Sequence, residues 1–243
     1  MISVVIPAKD ETGNIGNLVK EIAAALEGQS DFEVVVVDDG STDATGREVL
    51  QAAADCGCNA SVVRHRKSTG QSTAVHSGVL HAKGDWIVTL DADGQNDPAD
   101  IPAMIAIART ITNPHFCIAG YRKNRKDTAW KRFQSRVANR IRDALLHDGV
   151  PDTGCGLKLF PRETFLRLPH FNHMHRYLPA LIRRLGGEIR ISEVNHRDRG
   201  AGVSKYNAWN RAWVGIVDLL GVMWLIRRGK IAEVERVDGY NHP

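Results

Sequence analysis

The stretch Phe32-Glu33-Val34-Val35-Val36-Val37-Asp38-Asp39-Gly40-Ser41-Thr42-Asp43 decides the fold. Its unbroken valine run is what a strand covered on both faces looks like, and it ends abruptly in acidic and turn-forming residues. Upstream, Ser3 to Pro7 is a first apolar run, after which Ile15, Leu18, Val19, Ile22 and Leu26 recur at helical spacing. Downstream, a helix is predicted from Thr42 or Asp43 to about Cys56, a strand over Ala60 to Arg64, and a helix face at Ala74, Val75, Gly78, Val79 and Ala82. A strand over Trp86 to Leu90 then ends at Asp91-Ala92-Asp93. Strand and helix alternate, so the expected class is α/β: a mainly parallel sheet with helices on both faces, binding its ligand at the carboxyl ends of the strands. Pro7 to Glu11, Asp38 to Asp43 and Asp91 to Gln95 all fall at such ends.

At 243 residues and 43% hydrophobic, the chain is long enough for one generous core. Cysteines at 56, 58, 117 and 155 lack the paired CxxC spacing of a zinc site, and reduced thiols are expected. Met1 to Pro7 has no basic leader and no cleavage site, so a cytoplasmic protein is expected. The net charge of +4 is concentrated: nine Lys/Arg stand between Arg122 and Arg142 against the single Asp127. That points to phosphate-bearing partners, with no nucleic acid expected among them.

The acidic strand ends carry the chemistry. Asp91-x-Asp93 directly after a buried strand concentrates negative charge that something cationic must neutralise. Carboxylates and the Gln95 amide are hard oxygen ligands suited to Mg²⁺ or Mn²⁺, with Asp93 and Gln95 as the metal-ligand candidates. The other reading is a plain Asp-capped turn. Asp38 to Asp43 offers a second acidic end, where Ser41 or Thr42 caps a helix and an Asp accepts from a nucleobase or a ribose.

In order and spacing, Pro7-Ala8-Lys9-Asp10-Glu11, Asp-Asp-Gly-Ser-Thr-Asp and Asp-Ala-Asp-Gly-Gln resemble the family-2 glycosyltransferases. The resemblance implies the nucleotide-diphospho-sugar transferase (GT-A type) sheet and inversion at the anomeric centre. It also implies a donor site of Pro7, Glu11, Asp39, Gly70, Gln71, Asp91, Ala92 and Asp93, with Asp39 on the base and Asp91 and Asp93 serving ribose and metal. Asp10 departs from the Asn frequent at that position.

Gly120-Tyr121-Arg122, Arg132-x-x-Ser135 with Asn139, Asp152 to Lys158, and Arg197 to Tyr206 narrow the likeness to the polyprenyl- and dolichyl-phosphate sugar transferases, over residues 1 to about 225. Gly70-Gln71 and the Asp-x-Gly-Cys stretch lean toward the bacterial branch acting on undecaprenyl phosphate, which implies a UDP-sugar donor. Independently, Lys131, Arg132, Arg136 and Arg140 flank the stripe Phe133, Val137, Ile141, giving a helix able to lie on an anionic membrane, or else to pack on a core with a solvated basic face. An ester phosphate is already largely anionic at neutral pH, so it needs alignment and charge neutralisation more than a base. Candidate catalytic residues are Asp152, Asp93, Arg122 and Arg197. Candidate acceptor and diphosphate ligands are Arg122, Lys131, Arg132, Ser135, Arg199, Ser204 and Lys205. Asp152 either orients a phosphate acceptor or serves as base toward a hydroxyl.

Ala212 to Ile226 is almost wholly apolar, but Asp218 interrupts it and its length falls short of the roughly 20 residues that cross a bilayer. An interfacial helix, a docking helix for a membrane partner protein and a buried helix all fit it. The expected organisation is a catalytic domain over 1–206 and a C-terminal helix and tail over 207–243, peripheral at the cytoplasmic face of the membrane. A transferase to a soluble or polysaccharide hydroxyl and a non-catalytic nucleotide-sugar sensor are the rival readings. A metal site at His170, His173 and His175 is not expected, because no regular element fixes their spacing.

Overall fold

The computed structural model describes residues 1–28, 31–122, 139–197 and 208–230, with backbone alone at 208–214. Its seven-stranded sheet has the order β3-β2-β1-β4-β6-β5-β7. The strands are β1 (Ile2–Ala8), β2 (Phe32–Asp38), β3 (Ala60–Arg64), β4 (Trp86–Thr89), β5 (Phe116–Tyr121), β6 (Lys158–Pro161) and β7 (Glu188–Glu193). Only β6 runs against its neighbours, so the expected mainly parallel sheet is the observed one. The antiparallel insertion matters for function. It brings the start of β6 to the edge where the other six strands end, with Lys158 level with Thr89 on one side and Ala119 on the other.

Period-two alternation sorts the buried side chains of the sheet between two helical layers. Val4, Ile6, Val34, Val36 and Val88 face α1 (Ile15–Leu26), α2 (Thr45–Cys56) and α4 (Ile101–Ala108). Val5, Val35, Ile87 and Phe160 face α3 (Gln71–His81), α6 (Arg162–Leu166), α7 (Leu178–Arg184) and α8 (Ala208–Arg228). Each fully buried branched side chain contributes about 1.5–3 kcal/mol, so the edge carrying the acidic residues is held by a rigid support.

Helix α2 starts at Thr45, later than the sequence suggests, because Asp43 turns its carboxylate onto the Thr45 amide and hydroxyl (3.0 and 2.5 Å) and closes a turn first. β7 stops at Glu193, because its partner β5 ends opposite it at Tyr121, and the ladder does not run on to His196. His196 instead forms an isolated bridge with Asn96.

The helix α5, described over 139–146, turns Arg142 and Leu146 inward and leaves Ile141 and Leu145 exposed. The expected basic helix over Trp130 to Leu146 is therefore described only at this end; residues 123–138 lie outside the described set. On α8, Val222 is buried in the α3/α7 layer, while Ile216, Val217, Leu220 and Trp224 are exposed. Among the described residues, no helix is long and apolar enough to cross a membrane.

Candidate functional site

Six strand ends and one strand start meet at a single sheet edge, and each delivers a polar group. At the end of β1, the chain turns at Asp10 with φ +54°, a left-handed conformation that Asp and Asn tolerate better than most residues. The Asp10 carboxylate accepts from the Thr42 amide (2.8 Å), which binds the β1 turn to the β2 turn; an Asn side-chain oxygen could accept the same bond. Glu11 holds its own turn by accepting from Asn14 (3.0 Å), and Pro7 lies within β1.

Asp39, at the end of β2, is the best-satisfied carboxylate of the edge. It accepts from the Thr69 and Gly70 amides (2.8 and 2.9 Å), the Ser68 and Thr69 hydroxyls (2.7 and 3.0 Å) and His65 Nδ1 (2.7 Å). Burial pushes its pKa up, but these donors, His65 foremost, outweigh burial and hold it well below the usual carboxylate range. Asp39 thus orders the loop 65–70 that leads into α3. Gly40 permits that loop to approach: it has φ +74°, and a Cβ there would lie 2.8 Å from the Ser68 amide nitrogen.

Gly70 and Gln71 open α3, and the Gln71 amide donates to Asp91 Oδ1 at 2.7 Å. Asp91 follows β4 and is half-buried; Asp93 is buried beside it, with Ala92 between them. Burial, and then the charge of Asp93, push the Asp91 carboxyl up, while Lys158, Arg122 and the Gln71 amide oppose that shift. The Asp91 amide donates to Asn96 Oδ1 (3.2 Å) and the Gln95 amide to Asp93 Oδ1 (3.2 Å), so the acidic turn is fixed by its own chain. Gly156, which precedes β6, has no room for a side chain, because a Cβ there would overlap the Asp91 carboxylate.

Arg122, just past β5, grips Asp152 through two bonds, Nε to Oδ2 at 2.7 Å and Nη2 to Oδ1 at 3.0 Å. Burial works against its positive charge, but Asp152 prevails and raises its pKa further. Lys158 is buried at the start of β6, with Nζ donating to backbone carbonyls of Cys155 and Thr153. The edge therefore holds Asp91 and Asp93, flanked by two cations, one of them already committed to Asp152.

Asp39, Gly70, Gln71, Asp91, Ala92, Asp93, Gln95, Arg122 and Asp152 thus come to one edge. Arg197 reaches it by its backbone, the amide donating to Gln95 O (3.0 Å), but its guanidinium bridges Glu21 and Asp97 at 2.6 Å each. Lys131, Arg132, Ser135, Arg199, Ser204 and Lys205 lie outside the described residues. Sequence reasoning missed His65, Asn96 and Lys158. Each had a signal: His65 stands one residue past a strand end, Asn96 one residue past the Asp91 to Gln95 motif, and Lys158 closes the Asp152 to Lys158 stretch.

Two carboxylates without a third strong ligand do not make a closed metal cage, and among the described residues no group of three or more His, Cys, Asp or Glu could hold an ion. The set suits a hard divalent ion that takes its remaining oxygens from a diphosphate and water. The three loop histidines bind separately: His173 to Asp218 (2.9 Å), His175 to Ser72 (2.7 Å), and His170 against the His76 ring (4.4 Å between centroids).

A family model described as "Glycosyl transferase family 2" matches residues 3–168. The dodecaprenyl-phosphate galacturonate synthase of Rhizobium johnstonii is 35% identical, over 93% of this chain and 67% of that protein. The undecaprenyl-phosphate 4-deoxy-4-formamido-L-arabinose transferase of an Enterobacter species is 33% identical, over 85% of this chain and 62% of that protein. The chain thus spans about two thirds of these relatives. Among solved structures, glucosyl-3-phosphoglycerate synthase from Mycobacterium tuberculosis, in complex with Mn²⁺, UDP-glucose and glycerol 3-phosphate, superposes with a TM-score of 0.66. It is 18% identical, over 93% of this chain and 79% of that one, so the likeness is one of fold.

Proposed function

The chain belongs to glycosyl transferase family 2, with the GT-A type fold, and on that premise we propose that it moves a sugar, with inversion, from a UDP-sugar to a polyprenyl phosphate. The donor lies along the edge from Asp39 to Asp93, with the base against the loop that Asp39 orders. Mg²⁺ or Mn²⁺, held by Asp93 and Gln95 beside Asp91, neutralises the diphosphate when bound. Lys158 adds a fixed positive charge beneath the carboxylates. An acceptor phosphate oxygen attacks the anomeric carbon, that carbon's bond to the diphosphate oxygen breaks, and the nucleoside diphosphate leaves with the electron pair.

The observation that carries a phosphate over a hydroxyl acceptor is the Arg122–Asp152 pair. A carboxylate held bidentately by a guanidinium is a poor proton acceptor, whereas a phosphate anion requires none to be taken from it. Asp152 therefore orients Arg122, and Arg122 meets the acceptor anion together with the basic run 123–140. Asp152→Asn tests this: transfer falls only in part, whereas complete loss with retained nucleotide binding would mark Asp152 as a base and the acceptor as a hydroxyl.

We also propose that residues 1–206 act as the catalytic unit and that 207–243 carries its docking element at the cytoplasmic membrane face. Exposed Ile216, Val217, Leu220 and Trp224, with Arg227 and Arg228 at the helix end and Ile141 and Leu145 on α5, support a shallow seat on anionic lipid. A membrane protein docking on α8 is the alternative partner.

A further inference from the structure

Arg142 is 7% exposed, and all five of its N–H groups are used. Nε and Nη2 grip the buried Asp148 carboxylate at 3.1 Å each, and Nη2 also donates to the Val150 carbonyl. Nη1 donates to Asn139 Oδ1 at 2.8 Å and to Thr153 Oγ1 at 2.6 Å. Asn139 in turn donates to the Pro151 carbonyl (2.7 Å), and Asp143 accepts from the Gly149 amide (2.8 Å). One guanidinium thereby ties α5, the described end of the basic run, to the turn 148–153 on both sides of Asp152.

A buried arginine of this kind is costly unless every donor is met, and here all are met by the one turn and the helix that faces it. Core packing alone does not call for such an arrangement, since Leu146 already anchors α5 in the apolar layer. What the guanidinium adds is a fixed distance between the helix and the carboxylate that holds Arg122.

We infer that Arg142 is a positioning residue for transfer: it locks the turn 148–153 to α5 and so sets where Asp152 holds Arg122 against the acceptor. This rests on the reading of Arg122 and Asp152 given above. Displacing an aligned group by about 1 Å costs up to about 100-fold in rate, so partial loosening of the clamp costs about 10-fold.

The test uses Arg142→Lys, which keeps the charge but loses the five-donor fork, and Thr153→Val, which removes one hydroxyl next to Asp152 and leaves the ion pair with Asp148 intact. Transfer from UDP-sugar to polyprenyl phosphate is expected to fall about 10-fold in kcat for both, with the KM for donor unchanged within about twofold. Thr153→Val combined with Asp152→Asn is expected to be no slower than Asp152→Asn alone. If Arg142→Lys does not fold, Thr153→Val decides. Wild-type kcat in a folded Thr153→Val variant, or a donor KM rising in step with the loss, overturns the inference. An impaired Asp152→Asn beside a wild-type Thr153→Val sinks the clamp alone, whereas Asp152→Asn at the full wild-type rate overturns the reading of Asp152 and the clamp with it.

Discussion

Gly156→Ala is the smallest change that reaches the acidic edge. The added Cβ lies 2.5 Å from Asp91 Cγ and 2.8 Å from Asp91 Oδ1, where ordinary contact is about 3.5–4 Å, so something must move by about 1 Å. The Gly156 backbone is held by the Thr89 hydroxyl on its carbonyl (2.9 Å), and the Asp91 backbone by Asn96 (3.2 Å). The yielding group is therefore the Asp91 carboxylate, which withdraws from its 2.7 Å bond with Gln71. A 1 Å error at a reacting site lowers rate by about 100-fold, or about 2.7 kcal/mol of activation free energy. Overpacking costs about 1–3 kcal/mol of stability, a fall of roughly 2–12 °C in Tm for a chain of this size. Steady-state transfer beside a thermal melt separates the two effects. Gly46→Ala in α2 is the control, because its Cβ would meet only Val62 at 3.4 Å and Asp38 at 3.6 Å, clear of Asp91. Full transfer by a folded Gly156→Ala protein would refute the claim that Asp91 must sit where it does.

Asp93→Ala is expected to abolish Mn²⁺-dependent binding of a nucleoside diphosphate, read by calorimetry; unchanged affinity would remove Asp93 from the metal site. The hydrogen bonds that hold the Asp39 pKa low contribute stability that is complete above the ordinary carboxylate pKa near about 4 and is lost as pH falls further. Asp39→Asn is accordingly expected to cost on the order of 2–3 kcal/mol at pH 7 and to flatten the acid limb of the melting curve, which a Tm series against pH checks. Burial, then the charge of Lys158, holds His175 neutral, so its contribution is present above about pH 6.5 and lost below; His175→Gln reduces the loss between pH 6.5 and 5. For the membrane seat, Leu220→Glu and Trp224→Glu are expected to weaken sedimentation with anionic vesicles about 10-fold without changing Tm, and equal binding would point to a protein partner instead.

The parallel half of the sheet was legible because Val34 to Val37 and Trp86 to Leu90 are apolar runs bounded by acidic turns, and the edge they build follows from alternation alone. β6 escaped because four residues ending in a proline carry no period, and Lys158 reads as the tail of a loop motif until the sheet places it opposite Thr89. Ile101 to Ala108 is apolar on nearly every side and shows no stripe to announce α4. Asp39, Arg122 and Asp152 were each singled out as candidates, but not the contacts they make. That His65 and Ser68 would fold onto Asp39, or Arg122 onto Asp152, depends on contacts between segments about 30 residues apart.

Radiolabel transfer from a UDP-sugar into polyprenyl phosphate, with Mn²⁺ and then with chelator, tests the central claim most directly. The account predicts labelled lipid-linked sugar phosphate in the first case and none in the second. Nucleotide-sugar binding that persists with no label reaching lipid phosphate under either condition would contradict it and leave a sensor or a transferase to another acceptor.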